Sequence, residues 1–145
     1  MRLSDIAAAA TLATFVATAP GLACRYNAPP AVRIDRGGFD AVVAGTVEQA
    51  SYTGERRTDW RPWRGTVRVA RVLRGSTAAR RLRIGRTGST AACDDGLAPP
   101  KPGETWILYL RHQNGSASVI HAYPTRIART ADPAVAIALD HPNRS

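Results

Sequence analysis

The stretch Thr105-Trp-Ile-Leu-Tyr-Leu-Arg-His-Gln-Asn-Gly-Ser-Ala-Ser-Val-Ile-His-Ala-Tyr123 decides the fold class. From Thr105 to Leu110 apolar side chains fall on both faces of an extended chain, the pattern of a strand in the middle of a sheet. Asn114-Gly115 then supplies the residues that a type I′ turn asks for, since both of its central positions need a positive φ. Ser118 to Tyr123 returns as the partner strand. A hairpin whose first arm is apolar on both faces needs further strands beside it.

Those strands lie upstream. Phe39 to Glu48 reads as one, with Ala41, Val43 and Val47 on a single face, and Gly45 between them marks a barrel bend. Ser51 to Trp63 is polar, contains Gly54 and Pro62, and reads as a loop. Thr66 to Leu73 fits helical spacing too, but Val67, Val69 and Val72 are β-branched and favour a strand. A bulge near Ala70-Arg71 would return Leu73 to its inward face. Leu82 and Ile84 alternate with Arg81 and Arg83, which predicts a short strand with one wet face. Asp132-Pro133 has the form of an N-cap followed by a first-turn proline, opening a short helix through Leu139. Five strands, a long first loop and a late helix predict an all-β domain, a small closed or nearly closed barrel.

The first 23 residues read differently. Arg2 is followed by an apolar run from Ile6 to Ala19, shorter than the ~20 residues a membrane-spanning helix needs. Pro20-Gly21-Leu22-Ala23 breaks the run and offers the small residues that signal peptidase reads. The expectation is a signal peptide over residues 1–23, cut after Ala23, and a secreted or periplasmic product. No second long apolar run follows, so no transmembrane segment is expected after processing. Cys24 to Ser145 has the size of one domain. It holds both cysteines of the chain. In an exported protein that count reads as a disulfide, and Cys24–Cys93 is the one pairing available. Closing that loop restricts the unfolded chain by about 4 kcal/mol. Lipid anchoring at Cys24 is the lesser reading. Gly21 stands where bacterial lipoproteins usually place leucine, and lipidation would strand Cys93.

The formal net charge is +9, and Lys101 is the only lysine among the basic residues. Removing the signal peptide leaves the balance unchanged, because Arg2 and Asp5 leave together. A solvated basic surface is the plain reading, and an anionic partner the functional one. Arginines crowd the second and third strands, and Arg68, Arg71, Arg81 and Arg83 form the candidate anion-binding set. Nucleic acid fits poorly, since no aromatic platform lies between Gly65 and Thr105 for base stacking. Trp60 and Trp63 precede that stretch and suit covering a barrel end. His112, His121 and His141 have no nucleophile to serve once both cysteines are bonded. Asp94-Asp95 beside Gly96 reads as a turn. No catalysis, cofactor or intrinsic metal is expected, and the chain is expected to be a monomer.

A longer pattern emerges when the motifs are set in order. They are Cys24, Pro29-Pro30, Phe39-Asp-Ala-Val-Val-Ala-Gly-Thr-Val47, Val67-Arg-Val-Ala-Arg-Val-Leu-Arg-Gly75, Ala91-Ala-Cys-Asp-Asp-Gly96 and Pro102-Gly-Glu-Thr-Trp-Ile-Leu-Tyr-Leu110. The series resembles the netrin-like fold of the tissue inhibitors of metalloproteinases, and more closely the single-domain bacterial proteins that share it. The resemblance implies a five-stranded OB-type barrel over residues 24–128, with a C-terminal helix and tail over 129–145. It also implies a protein-binding module whose partner surface includes Cys24, Arg25, Pro29, Pro30 and Asp94. In the animal inhibitors the mature chain begins with a disulfide-bonded cysteine, whose free amine and carbonyl chelate the zinc of the target protease. By resemblance Cys24 takes that place, Cys93 is its partner, and Arg25 points into the specificity pocket. A catalytic zinc keeps an open coordination position for such ligands. An α-amino group with a pKa of about 7.7–8.0 is partly neutral near neutral pH and able to ligate.

Overall fold

The structure is a computed structural model that describes residues 38–54, 61–86 and 97–141. It contains five strands, β1 (Ala41–Tyr52), β2 (Trp63–Gly75), β3 (Arg81–Arg86), β4 (Thr105–Gln113) and β5 (Ser116–Pro124), then two helices, α1 (Thr125–Ala131) and α2 (Pro133–Asp140). The strands form one antiparallel sheet in the order β3-β2-β1-β4-β5. The protein is therefore mostly β, as the sequence predicts, with its C-terminal helical part split in two.

β1 lies at the centre and is buried on both faces, which is why its apolar residues run without alternation. Ala41, Val43 and Val47 join Trp63, Val67, Leu82, Ile84, Trp106, Leu108 and Leu110 in the core on the concave side of the sheet. Val42 and Ala44 point the other way, with Ile107, Tyr109 and Tyr123, onto Ala128 of α1 and Val135 of α2. The β4 pattern has the same cause: one face looks into the curl and the other lies under the helix pair.

Glycine makes the curl possible. At Gly45 the β1–β2 register shifts, and an added Cβ would collide with the Val67 side chain and sit 3.0 Å from the Arg68 carbonyl oxygen. The curl brings the edge strands β3 and β5 toward each other, yet no ladder joins them. Arg86 spans the gap instead: its Nη2 donates to the Ala122 carbonyl at 2.8 Å, and its guanidinium lies 5.5 Å from the centre of the Trp63 ring. The sheet is thus strongly bent but not closed by backbone pairing.

Several local expectations need correction. β2 carries two irregularities against β1, with Ala70 and Leu73 as the extra residues, where one was predicted. The first shifts the alternation by one, so Val69 and Val72 both face the concave core and Leu73 packs beneath the helices, and the second keeps Arg74 on that outer side as well. β1 and β2 also reach further into the expected loop, to Tyr52 and from Trp63. α1 was not predicted, and the boundary placed after residue 128 falls inside it. Pro124 precedes this helix without any side-chain cap, so the usual start signal is missing.

The β4–β5 turn is as predicted, with Asn114 at φ 51° and Gly115 at φ 77°. So is the start of α2. Asp132 accepts hydrogen bonds from the amides of Ala134 at 3.0 Å and Val135 at 3.3 Å, and Pro133 opens the helix. Asp132 is itself buried, and its other carboxylate oxygen accepts from the Tyr109 hydroxyl at 3.0 Å. One carboxylate therefore both caps α2 and fastens it to β4. Burial, then the Asp132 charge and their hydrogen bond, pushes the Tyr109 phenol well above its ordinary range. Among the described residues no helix is long and apolar enough to cross a membrane.

Candidate functional site

The outer face of β2 and β3 collects the arginines. Between Trp63 and Arg68 the two strands pair without irregularity, so side chains alternate strictly across the sheet. Trp63, Val67, Leu82 and Ile84 point inward and are buried. Arg64, Thr66 and Arg68 therefore point outward from β2, next to Arg81 and Arg83 from β3. Arg68 stands opposite Arg81, Thr66 opposite Arg83, and Arg64 opposite Gly85. All four arginines on this face are exposed. Like charges directly opposed across strands repel, so the fold places a counter-charge there.

That counter-charge is Glu48. It is the extra residue of a β1 irregularity between Val47 and Gln49, which aims it at the basic face. Its two carboxylate oxygens accept from Arg81 Nε at 3.1 and 3.0 Å, and one lies 4.0 Å from Arg68 Nε. The pairs are well exposed and contribute at most about 1 kcal/mol each. Their consequence is division of labour. Glu48 engages Arg68 and Arg81, whereas Arg64 and Arg83 have no hydrogen-bond or ionic partner among the described residues, and the Thr66 side chain lies between them.

The other arginines of these strands serve the fold. Arg71 donates to the Ala138 carbonyl at 2.8 Å, in the last turn of α2, where a cation also suits the helix dipole. Arg74 lies 4.8 Å from the Phe39 ring centre, which in turn packs edge-on against Tyr109. Arg86 bridges the β3–β5 gap. Of the predicted anion-binding set, Arg68, Arg81 and Arg83 share one face. Arg71 is turned to the outer side by the Ala70 irregularity, but it lies further along β2, where α2 covers it, and is partly buried.

Three residues of this face lie outside the predicted anion-binding set, although Arg64 is among the arginines that crowd these strands in the sequence. Arg64 lies between the expected loop and the expected start of β2 at Thr66, so its facing could not be read. Glu48 was the last residue of its expected strand, outward by alternation from Val47, and the sequence does not state that Arg68 and Arg81 stand beside it. Thr66 carried no charge to draw attention. Trp63, read from the sequence as a loop residue covering a barrel end, is instead the first residue of β2 and part of the concave core: it is buried, its Nε1 donates to the Leu97 carbonyl at 2.6 Å, and its ring meets Trp106 edge-on at 5.9 Å. Trp60 lies outside the described residues. So do Cys24, Arg25, Pro29, Pro30, Cys93 and Asp94, that is, both cysteines of the expected disulfide and the whole predicted protease-facing surface. No family model matches the chain, and no curated protein matches it.

Proposed function

We propose that this chain is an exported binding module without chemistry of its own, which holds an anionic macromolecular partner on the outer face of β2 and β3. The observation that carries the reading is the alignment of Arg64, Arg68, Arg81 and Arg83 on one regular two-strand face with a single paired carboxylate, Glu48. Guanidinium forks match carboxylate, sulfate and phosphate oxygens in pairs. The face is rigid because its inward side is the core, so few degrees of freedom are lost on binding.

The test is retention on immobilised dextran sulfate as salt is raised, since exposed charges are screened beyond about 8 Å at physiological ionic strength. Arg64→Glu combined with Arg83→Glu should release the protein at much lower salt than Arg126→Glu combined with Arg129→Glu. The second pair makes the same change in net charge at α1. Equal elution of the two variants would show that bulk charge, not this face, holds the polymer.

A second reading rests on the cysteine that directly follows the expected cut after Ala23. Under the netrin-like resemblance, the mature amino terminus of Cys24, tied to Cys93, inhibits a zinc metalloprotease. Pro29, Pro30 and the turn holding Asp94 would lie beside it. Tyr26 stands where the animal inhibitors carry a second cysteine, and Arg25 is longer than the residue usual in the pocket. The basic face is therefore placed first. The mass of the mature protein before and after reduction reports cleavage, the bridge and any lipid together. Adding one residue before Cys24 should abolish inhibition with the fold intact. Inhibition that survives the extension would remove the amine from the mechanism.

A further inference from the structure

We propose that Asn114 is a site of spontaneous covalent modification, converting to aspartyl and isoaspartyl residues through a succinimide at the tip of the β4–β5 hairpin. Three observations carry it. Asn114 and Gly115 are both exposed. The ladder closes at Gln113 and Ser116, which leaves the Gly115 amide outside it and free to act as a nucleophile. A Cβ built on Gly115 would meet nothing within 4 Å, so the approach to that nitrogen is open. The same glycine that lets the turn adopt positive φ thus removes the side chain that would hinder attack.

The chemistry balances without any further reagent than water. The Gly115 nitrogen loses its proton to solvent and forms a bond to Cγ of Asn114, and the side-chain nitrogen leaves as ammonia. Water then opens the ring at either carbonyl. One route gives aspartate; the other moves the main chain through the former side chain and gives isoaspartate. The stem is held independently. Its ties are the hydrogen bond from the His112 amide to the Asp40 carboxylate at 2.7 Å and that from the Ser118 hydroxyl to the Arg111 carbonyl at 3.2 Å. The change is therefore confined to the tip, where it adds a negative charge near Arg111 and His112 and lengthens a two-residue turn by one backbone atom.

The chain carries its own controls, because Asn27 is followed by Ala28 and Asn143 by Arg144. The intact protein is aged at mildly alkaline pH and digested, and each asparagine is followed by mass. Isoaspartate is counted by methyl transfer from S-adenosylmethionine with an isoaspartyl methyltransferase. The expected result is early ammonia loss at Asn114 alone, a mixture of both products, and a rate that rises with pH. Gly115→Ala should slow the reaction at least about tenfold, equivalent to about 1.4 kcal/mol on the barrier. The pH dependence and product mixture of the natural chain decide the matter even if that variant does not fold. An Asn114 that stays intact while Asn27 or Asn143 reacts would overturn the proposal, as would aspartate formed without isoaspartate.

Discussion

Replacing Asp132 by alanine removes two functions at once, and the structure says how large each is. The first is the α2 cap, formed by the Ala134 and Val135 amides at 3.0 and 3.3 Å, and losing such a cap costs about 1 kcal/mol. The second is the acceptor for the Tyr109 hydroxyl at 3.0 Å, in a site where Tyr109 is fully buried. An orphaned buried hydroxyl costs about 1–3 kcal/mol. Asp132→Ala should therefore destabilise by about 3 kcal/mol, read as a lowered denaturant midpoint with an unchanged slope. Tyr109→Phe should cost about 1–2 kcal/mol, because the carboxylate keeps its two amide partners. The double variant is the informative one. With no hydroxyl left to orphan, it should be more stable than the sum of the two single effects by about 1–2 kcal/mol. Additive losses, or an Asp132→Ala variant within about 0.5 kcal/mol of the parent, would mean that this carboxylate does not fasten the helices to the sheet.

Further consequences follow from the same geometry. The Tyr109 phenol is held neutral in the fold, so its contribution is complete below the unfolded value of about 10 and is lost as pH rises above it. Alkaline titration of stability should show a fall above that pH that Tyr109→Phe flattens; identical alkaline limbs would contradict the buried pair. Gly45→Ala should destabilise by about 1–3 kcal/mol, since its methyl meets the Val67 side chain in a filled core, and a neutral result in thermal melts would show that the sheet can relax its bend. Arg86→Ala should cost about 1.5–3 kcal/mol through the lost bond to the Ala122 carbonyl. It should also speed amide exchange along β3 and β5 more than along β1. Uniform exchange would argue that the two edges are held by something else.

Much of this fold is written in local pattern. The Asn114-Gly115 turn, the apolar β4, the wet-faced β3 and the Asp132-Pro133 helix start each obey a rule with a short reach, and each is where the sequence puts it. What escaped has a long reach. Leu73 faces the helices because the position of the irregularity at Ala70 is settled by pairing with β1, and no run of residues within β2 states that. α1 begins after a proline with no cap and is stabilised by packing Ala128 on the sheet, which is a tertiary fact. The basic face was half legible for the same reason. Alternation placed Arg81 and Arg83 correctly, but the pairing of Glu48 with Arg68 and Arg81 and the covering of Arg71 by α2 are tertiary contacts that no strand states alone.

If a partner rests on the regular outer face of β2 and β3, its footprint must fall on the side chains of that face. Mapping amide and arginine side-chain shifts by NMR during titration with a short dextran sulfate chain tests it residue by residue. The largest changes should fall on Arg64, Thr66, Arg68, Arg81 and Arg83, with Arg71, Arg74 and Arg86 little affected. Changes spread evenly over every exposed arginine, including Arg126 and Arg129, would contradict it.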